Sequence, residues 1–297
     1  MVTTDNKNRD TASSGQAISA ALEGFSIEMG SHQAKSLDEV AERMPQGTDV
    51  FLNLFPNDQL ERQIDICRRI LAAGFTPIPH LAARRARALD DVRRILGRFT
   101  SDAGVRDFLI IAGDLEKPAS EITDAVEFIR LIRSNDFGIR RIGISGYPEG
   151  HPLISDQDLE RTQQEKIAIL EDLDIEPVVV TQFSFEPDAI IRYCKAVHAR
   201  HPDIHIKNGL PGPAKLTTLI RFAQRCGVKS SMRKMKALPV SASLKLLQRV
   251  PPTRQAEALG EYKISDNSNV SLHLFTFGGV PASLDWIDEA LEGDTDR

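Results

Sequence analysis

RIGISGYPEGHP, residues 141–152, is the stretch whose reading decides the fold. Ile142 and Ile144 alternate with small residues, the pattern of a strand buried in a core. The strand breaks at Gly146, and Tyr147, Glu149 and His151 then follow at alternate positions, separated by Pro148 and Gly150. Proline fixes one backbone angle and glycine frees another, so this is a stiff, glycine-jointed turn offering three polar side chains. A core strand that delivers polar groups at its C-terminal end is what a parallel α/β barrel does, since function there collects at that rim.

Working outward, the same alternation recurs. Strand-like runs precede the stretch at GFSIEM (24–29), VFLNL (50–54), TPIPHL (76–81) and DFLIIAG (107–113), and follow it at PVVVTQ (177–182), DIHIK (203–207) and VSLHLFTF (270–277). Amphipathic runs lie between them. In LERQIDICRRILAAG, Leu60, Ile64, Cys67, Ile70 and Leu71 fall on one face, and Gly74 stands where a left-handed cap belongs. Gly138 and Gly227 close two further helices in the same way. Eight strands separated by helices in 297 residues predict a single (β/α)8 TIM barrel over residues 21–290. An open doubly wound sheet is the rival, but the Gly-rich fingerprint of a dinucleotide fold is missing. Residues 1–20 are polar and read as a disordered tail, and 291–297 as an acidic one. The long stretch 228–269 is expected to carry two or three helices.

Composition excludes several function classes. Basic and acidic residues are interspersed and sum to −5, and aromatics make up 6% of the chain, which argues against a nucleic-acid surface. No apolar run is long enough to cross a membrane, and the N-terminus lacks the apolar core of a secretory signal. Three cysteines without a CxxC pair fit a reducing cytoplasm and no structural metal. The expectation is a cytoplasmic protein that handles a small molecule.

Read at the strand ends, the sequence places Glu28, Asn53, His80, Gly113–Asp114, Tyr147 with His151, Thr181–Gln182, Lys207–Asn208–Gly209 and Thr276 at one rim, with Gly278–Gly279 just beyond. Each has a plain alternative. Glu28 could face solvent, although a carboxylate within a barrel strand has few exits. Asp114 could simply cap a turn. His198, His201 and His205 are read as helix or loop surface residues, whereas His80 and His151 fall at rim positions. Gln182 offers both a donor and an acceptor to a heterocycle edge. No local histidine pair makes a metal site, and neither a nucleophile elbow nor a P-loop is present.

These residues carry a resemblance. FSIEM (25–29), PHLAAR (79–84), IIAGDL (110–115), GYPEGHP (146–152), TQFSFE (181–186) and GLPGPAKL (209–216) occur in the order and at the spacings of the methylenetetrahydrofolate reductase family. The chain resembles its short bacterial form, a single catalytic barrel, from about Gly24 to Trp286. The resemblance implies an enzyme that binds FAD, takes hydride from NADH or NADPH, and reduces 5,10-methylenetetrahydrofolate to 5-methyltetrahydrofolate. Glu28 would be the general acid, Asp114 the aspartate that tunes the flavin and meets the pterin, and Gln182 a substrate contact. His80, Gly113, Tyr147 and His151 would bind the flavin, with Glu160, Gln163 and Lys166 as further contacts on the next helix. The folate N10 must gain a proton as its methylene bond breaks, so an acid with a raised pKa is useful, and burial in a barrel mouth supplies that shift.

Departures from the family pattern are equally specific. Met29-Gly30-Ser31-His32 follows strand one in place of aromatic and proline residues. Phe55, beside Pro56, replaces the threonine at the end of strand two, and Ala112 replaces an FAD-holding arginine. Leu216 replaces the aromatic that stacks in the folate and nicotinamide site, and Gly278–Gly279 replaces an Asn-Arg pair. About four residues are inserted between the Lys166 helix and Gln182. Three explanations compete: FAD held differently, a flavin-free enzyme passing hydride directly from NAD(P)H, or a changed substrate. Gly278–Gly279 could offer amides to a phosphate or form a simple turn. The direction could be biosynthetic, towards methionine, or oxidative. Another flavin-dependent barrel oxidoreductase and a non-catalytic folate-binding protein are the remaining alternatives, and homo-oligomerisation is left open.

Overall fold

The computed structural model describes residues 5–53, 59–132, 137–228 and 249–295. Every run read as a strand is one: β1 (Ser26–Gly30), β2 (Asp49–Asn53), β3 (Thr76–Ala82), β4 (Asp107–Ile111), β5 (Arg141–Gly146), β6 (Glu176–Thr181) and β7 (His205–Pro211). Two short strands, β8 (Ala214–Lys215) and β9 (Arg249–Val250), pair with each other, and β10 (Val270–Phe275) is the eighth barrel strand. The barrel is closed in the order β1-β10-β7-β6-β5-β4-β3-β2. The (β/α)8 expectation holds. β7 runs on to Pro211, beyond the expected end at Lys207, because β10 pairs with it in parallel from Ile206↔Val270 to Pro211↔Phe275. Leu54, Phe55 and Pro56 lie outside the described residues.

The chain divides into two compact units, one of Met1–Ile27, Tyr147–Leu153 and Thr181–Arg297, the other of Glu28–Gly146 and Ile154–Val180. In the second unit, Phe51, Ile78, Leu109, Val178 and Val180 form a buried cluster on the inward faces of β2, β3, β4 and β6. Each such side chain contributes roughly 1.5–3 kcal/mol by leaving water. At the starts of β2, β4 and β5, Arg141 donates to Asp49 (2.8 and 3.1 Å) and to Asp107 (3.0 Å), and Arg140 also donates to Asp107 (2.5 and 3.1 Å). Burial works against the Arg141 charge, but the bonds to both carboxylates outweigh it and hold its pKa above the ordinary value.

Three helices of this unit follow the sequence reading. α3 (Leu60–Ala72) buries Ile64, Ile66, Cys67 and Ile70, while Leu71, expected on that face, lies in the last turn and is 40% exposed. α5 (Ala125–Arg130) is capped by Asp124, which accepts the Glu127 N–H, and α6 (Asp156–Asp172) by Ser155, which accepts that of Asp158. Gly74, Gly138 and Gly227 all have the positive φ expected of helix ends.

The first unit corrects one expectation. In place of a disordered tail through residue 20, a helix α1 spans Asp5–Leu22 and buries Ala17, Ile18, Ala21 and Leu22. It packs on α9 (Thr253–Asp266) so closely that a Cβ on Gly260 would meet the Ala17 carbonyl oxygen at 1.6 Å. Ser14 also bonds to Glu257, and Lys263 Nζ donates to the Ala20 carbonyl at 2.9 Å. The helical spacing was present in QAISAAL, but polar residues upstream masked it. At the other end, α10 (Val280–Thr295) carries helix into the expected acidic tail. Of the stretch 228–269, residues 229–248 lie outside the described ones, and α9 is one of the expected helices.

Candidate active site

Alternation along β1 leaves Glu28 half-buried between the buried Ile27 and Met29. Its Oε1 accepts a hydrogen bond from Asn53 Nδ2 at 3.3 Å, and its Oε2 lies 3.8 Å from His80 Nε2. Asn53 is the last residue of β2, two after Phe51 and therefore on the same face. His80 stands on β3 opposite Leu109 of β4, with the Phe51 ring against its own at 6.0 Å and 72°. Side-chain exposures of 8% for His80 and 14% for Glu28 put the pair in a shielded setting, where charge interactions are strong. The strands thus bring together two rim residues predicted as acid and cofactor contact, plus Asn53, to which no role had been given.

After β4 the chain turns through Ala112 and Gly113 to an exposed Asp114. The Ala112 carbonyl accepts the Arg84 N–H at 2.9 Å, tying this turn to the end of β3. Arg85, from the same segment, reaches Asp114 Oδ1 with Nη2 at 2.5 Å. Arg84 donates to the Leu115 and Thr123 carbonyls. A guanidinium is therefore present beside Gly113–Asp114 even though Ala112 brings none. Glu160, Gln163 and Lys166 all lie on α6, one turn apart and progressively more buried. Burial pulls the Lys166 ammonium down to about 8, partly opposed by the nearby Asp124 carboxylate.

In the first unit, the GYPEGHP turn is held from within. The Gly150 N–H donates to the Tyr147 carbonyl at 3.0 Å, and Gly150 takes φ +74. The Tyr147 and His151 rings meet edge to face at 5.3 Å, and burial lowers the His151 pKa. Glu149 points to the loop after β6, accepting from Ser184 Oγ at 2.7 Å. Gln182 turns its Oε1 to the Phe183 N–H at 3.0 Å, and Leu216 opens α8 (Leu216–Arg225) as a buried residue. Gly278 must lack a side chain because a Cβ would stand 1.9 Å from the Pro213 carbonyl oxygen. The Gly279 N–H closes a turn on Thr276 O at 2.9 Å.

Several features escaped the sequence reading. His273, fully buried on β10, has Nδ1 3.0 Å from Ser26 Oγ. Strict alternation in VSLHLF, which puts Ser271, His273 and Phe275 on one face, was the signal available. Phe183, Phe275, Phe277, Phe222 and Phe185 form an aromatic cluster, with the Phe222 and Phe277 rings stacked at 4.0 Å. His198 and His205, read as surface residues, are half-buried. His198 bonds with Tyr262 and the Ile204 carbonyl, and His205 with Ser271. Among the described residues no group of His, Cys, Asp and Glu is arranged to hold a metal ion, and no helix is long and apolar enough to cross a membrane.

The methylenetetrahydrofolate reductase family model matches residues 24–278. The chain belongs to that family. It is 28% identical over 133 residues to methylenetetrahydrofolate reductase 2 of Saccharomyces cerevisiae, an alignment covering 41% of this chain and 21% of that protein's length. An uncharacterized Clostridium thermocellum protein that binds two copies of 5-methyl-5,6,7,8-tetrahydrofolic acid has the same fold, with a TM-score of 0.56 and 12% identity over 95% of this chain and 99% of that one. Dihydropteroate synthase from Thermus thermophilus is similar at a TM-score of 0.45 and 9% identity, over 89% and 93% of the two chains. The methylenetetrahydrofolate reductase match ends at Gly278, so it takes in all eight barrel strands and both polar sets described above.

Proposed function

We propose that this chain reduces 5,10-methylenetetrahydrofolate to 5-methyltetrahydrofolate with hydride from NAD(P)H, or runs the reverse oxidation. The observation that carries the reading is Glu28, a shielded carboxyl bonded to Asn53 and facing His80, in a chain of this family. Cleavage of the bond between the methylene carbon and N10 leaves an iminium at N5 and requires one proton on N10. Glu28 would give that proton, and the hydride would add to the iminium carbon to make the methyl group. In the oxidative direction the Glu28 carboxylate would take the proton back. Asp114 and Gln182 would meet the pterin through hydrogen bonds, and the Clostridium thermocellum relative's folate ligand supports a folate as the small molecule.

Each unit taken by itself carries residues of kinds that suit a flavin: the edge-to-face rings of Tyr147 and His151 in one, and Gly113 with the cations Arg85 and Lys166 in the other. FAD, when bound, supplies a two-electron carrier between NAD(P)H and the folate. His80, Gly113, Asp114, Tyr147, His151, Glu160, Gln163 and Lys166 would hold it. A flavin-free reading is favoured by one observation, the alanine at 112 where the family has an arginine; hydride would then pass directly from NAD(P)H.

The visible spectrum of the purified protein separates these readings. Flavin bands that bleach anaerobically with NAD(P)H and return on adding methylenetetrahydrofolate support the flavin form. A colourless protein that still couples NAD(P)H oxidation to folate reduction supports the direct form. No folate turnover after FAD is added would refute both.

A further inference from the structure

The structure assigns Asn53 as the positioning residue that decides which oxygen of Glu28 carries the transferable proton. This deepens the reading of Glu28 as the acid and rests on it. An amide nitrogen only donates, and in a neutral carboxylic acid one oxygen only accepts while the other bears the proton. Asn53 Nδ2 faces Oε1 at 3.3 Å, and since the carbonyl oxygen of a neutral acid is the stronger acceptor, this bond favours Oε1 as the carbonyl-type oxygen. The proton of the acid form is thereby favoured on Oε2, the oxygen 3.8 Å from His80 Nε2.

Once the proton has left, the same amide donates to a carboxylate, and a hydrogen bond to a charged acceptor is the stronger kind. Asn53 therefore favours the state of Glu28 produced by proton transfer without changing the net charge of the site. Its own placement is fixed by β2, where Phe51 two residues earlier packs in the buried cluster and sets the face. Phe51 also bears on the His80 ring, so one strand orients both neighbours of the acid. A terminal strand residue with a short side chain can do this because it has few rotamers to lose.

Two measurements test the assignment. In protein with 15N-labelled asparagine, the Asn53 side-chain amide resonance should move as Glu28 titrates, and that movement should vanish in Glu28→Gln. A flat Asn53 resonance in the wild-type protein overturns the assignment whether or not the protein turns over folate. In steady-state kinetics, Asn53→Leu, which keeps the shape and removes the donor, should lower kcat at least about tenfold. Its KM for methylenetetrahydrofolate should stay within about twofold of wild type, since a positioning residue for proton transfer acts on the transition state. Unchanged kcat, or a loss confined to KM, overturns the assignment. A wild-type protein inactive on the folate would instead defeat the function reading, and the resonance titration would still decide the Asn53–Glu28 pairing.

Discussion

Ser184 Oγ donates a 2.7 Å hydrogen bond to Glu149 Oε1, and so fastens the loop after β5 to the loop after β6. Ser184 is fully buried and accepts the Glu186 N–H at 3.1 Å, so its hydroxyl serves both loops at once. The turn that presents Tyr147 and His151 is therefore anchored by the residue between them. Glu149→Ala leaves the buried Ser184 hydroxyl to its longer 3.5 Å contact with the Glu186 carbonyl, and we expect a loss of about 1–3 kcal/mol in urea unfolding. Glu149→Gln keeps an acceptor oxygen and should retain most of that stability. Equal losses in the two variants would show that the hydrogen bond is not what anchors the loop.

Arg141 is the second test. It bridges Asp49 and Asp107, both buried, at the end of the strands away from Glu28. Arg141→Met removes a buried guanidinium from two buried carboxylates, of which Asp107 keeps Arg140, so the expected loss is about 3–5 kcal/mol, read from denaturant unfolding. Protein that stays folded should keep its KM for the folate, because the bridge lies at the strand starts. A variant as stable as wild type would contradict this account.

Lys166 gives a pH dependence with a definite sign. Burial pulls its pKa from 10.5 to about 8 in the folded protein. Between those values the unfolded chain holds a proton that the folded chain has released, so this group's contribution to stability rises with pH across that window. Below about 8 the cost of burying the ammonium is at its full size, on the order of 3 kcal/mol. Lys166→Met should therefore be more stable than wild type at pH 7, with the advantage shrinking by pH 10. An advantage of the same size at both pH values would show that the ammonium is not the source.

Much of this was legible in the sequence, for identifiable reasons. Strand alternation fixes which face each residue takes, so the run RIGISG is β5 to the residue, and Glu28, Asn53 and His80 fall on the strands where they were read. What alternation cannot supply is contact between strands far apart in the chain. The Asn53–Glu28 bond, the Glu149–Ser184 bond and the Arg141 bridge each join separate strands or loops, and a strand's own residues do not announce its neighbour. Arg85 was not singled out, because the turn after β4 that folds back on it lies far along the chain. In α1 the apolar spacing occupies only the last turns, after a polar start, and the whole segment was read as a tail.

The most direct test of the central claim follows the labelled carbon itself. Methylenetetrahydrofolate carrying 13C in its methylene bridge is mixed with the purified protein, FAD and NAD(P)H, and the label is followed by NMR. With wild-type protein the label should move into an N5-methyl group. Glu28→Gln should slow this conversion at least about a hundredfold, the usual worth of a positioned acid. Label that stays in the methylene bridge with wild-type protein, or a Glu28→Gln variant within a few-fold of it, would contradict the account.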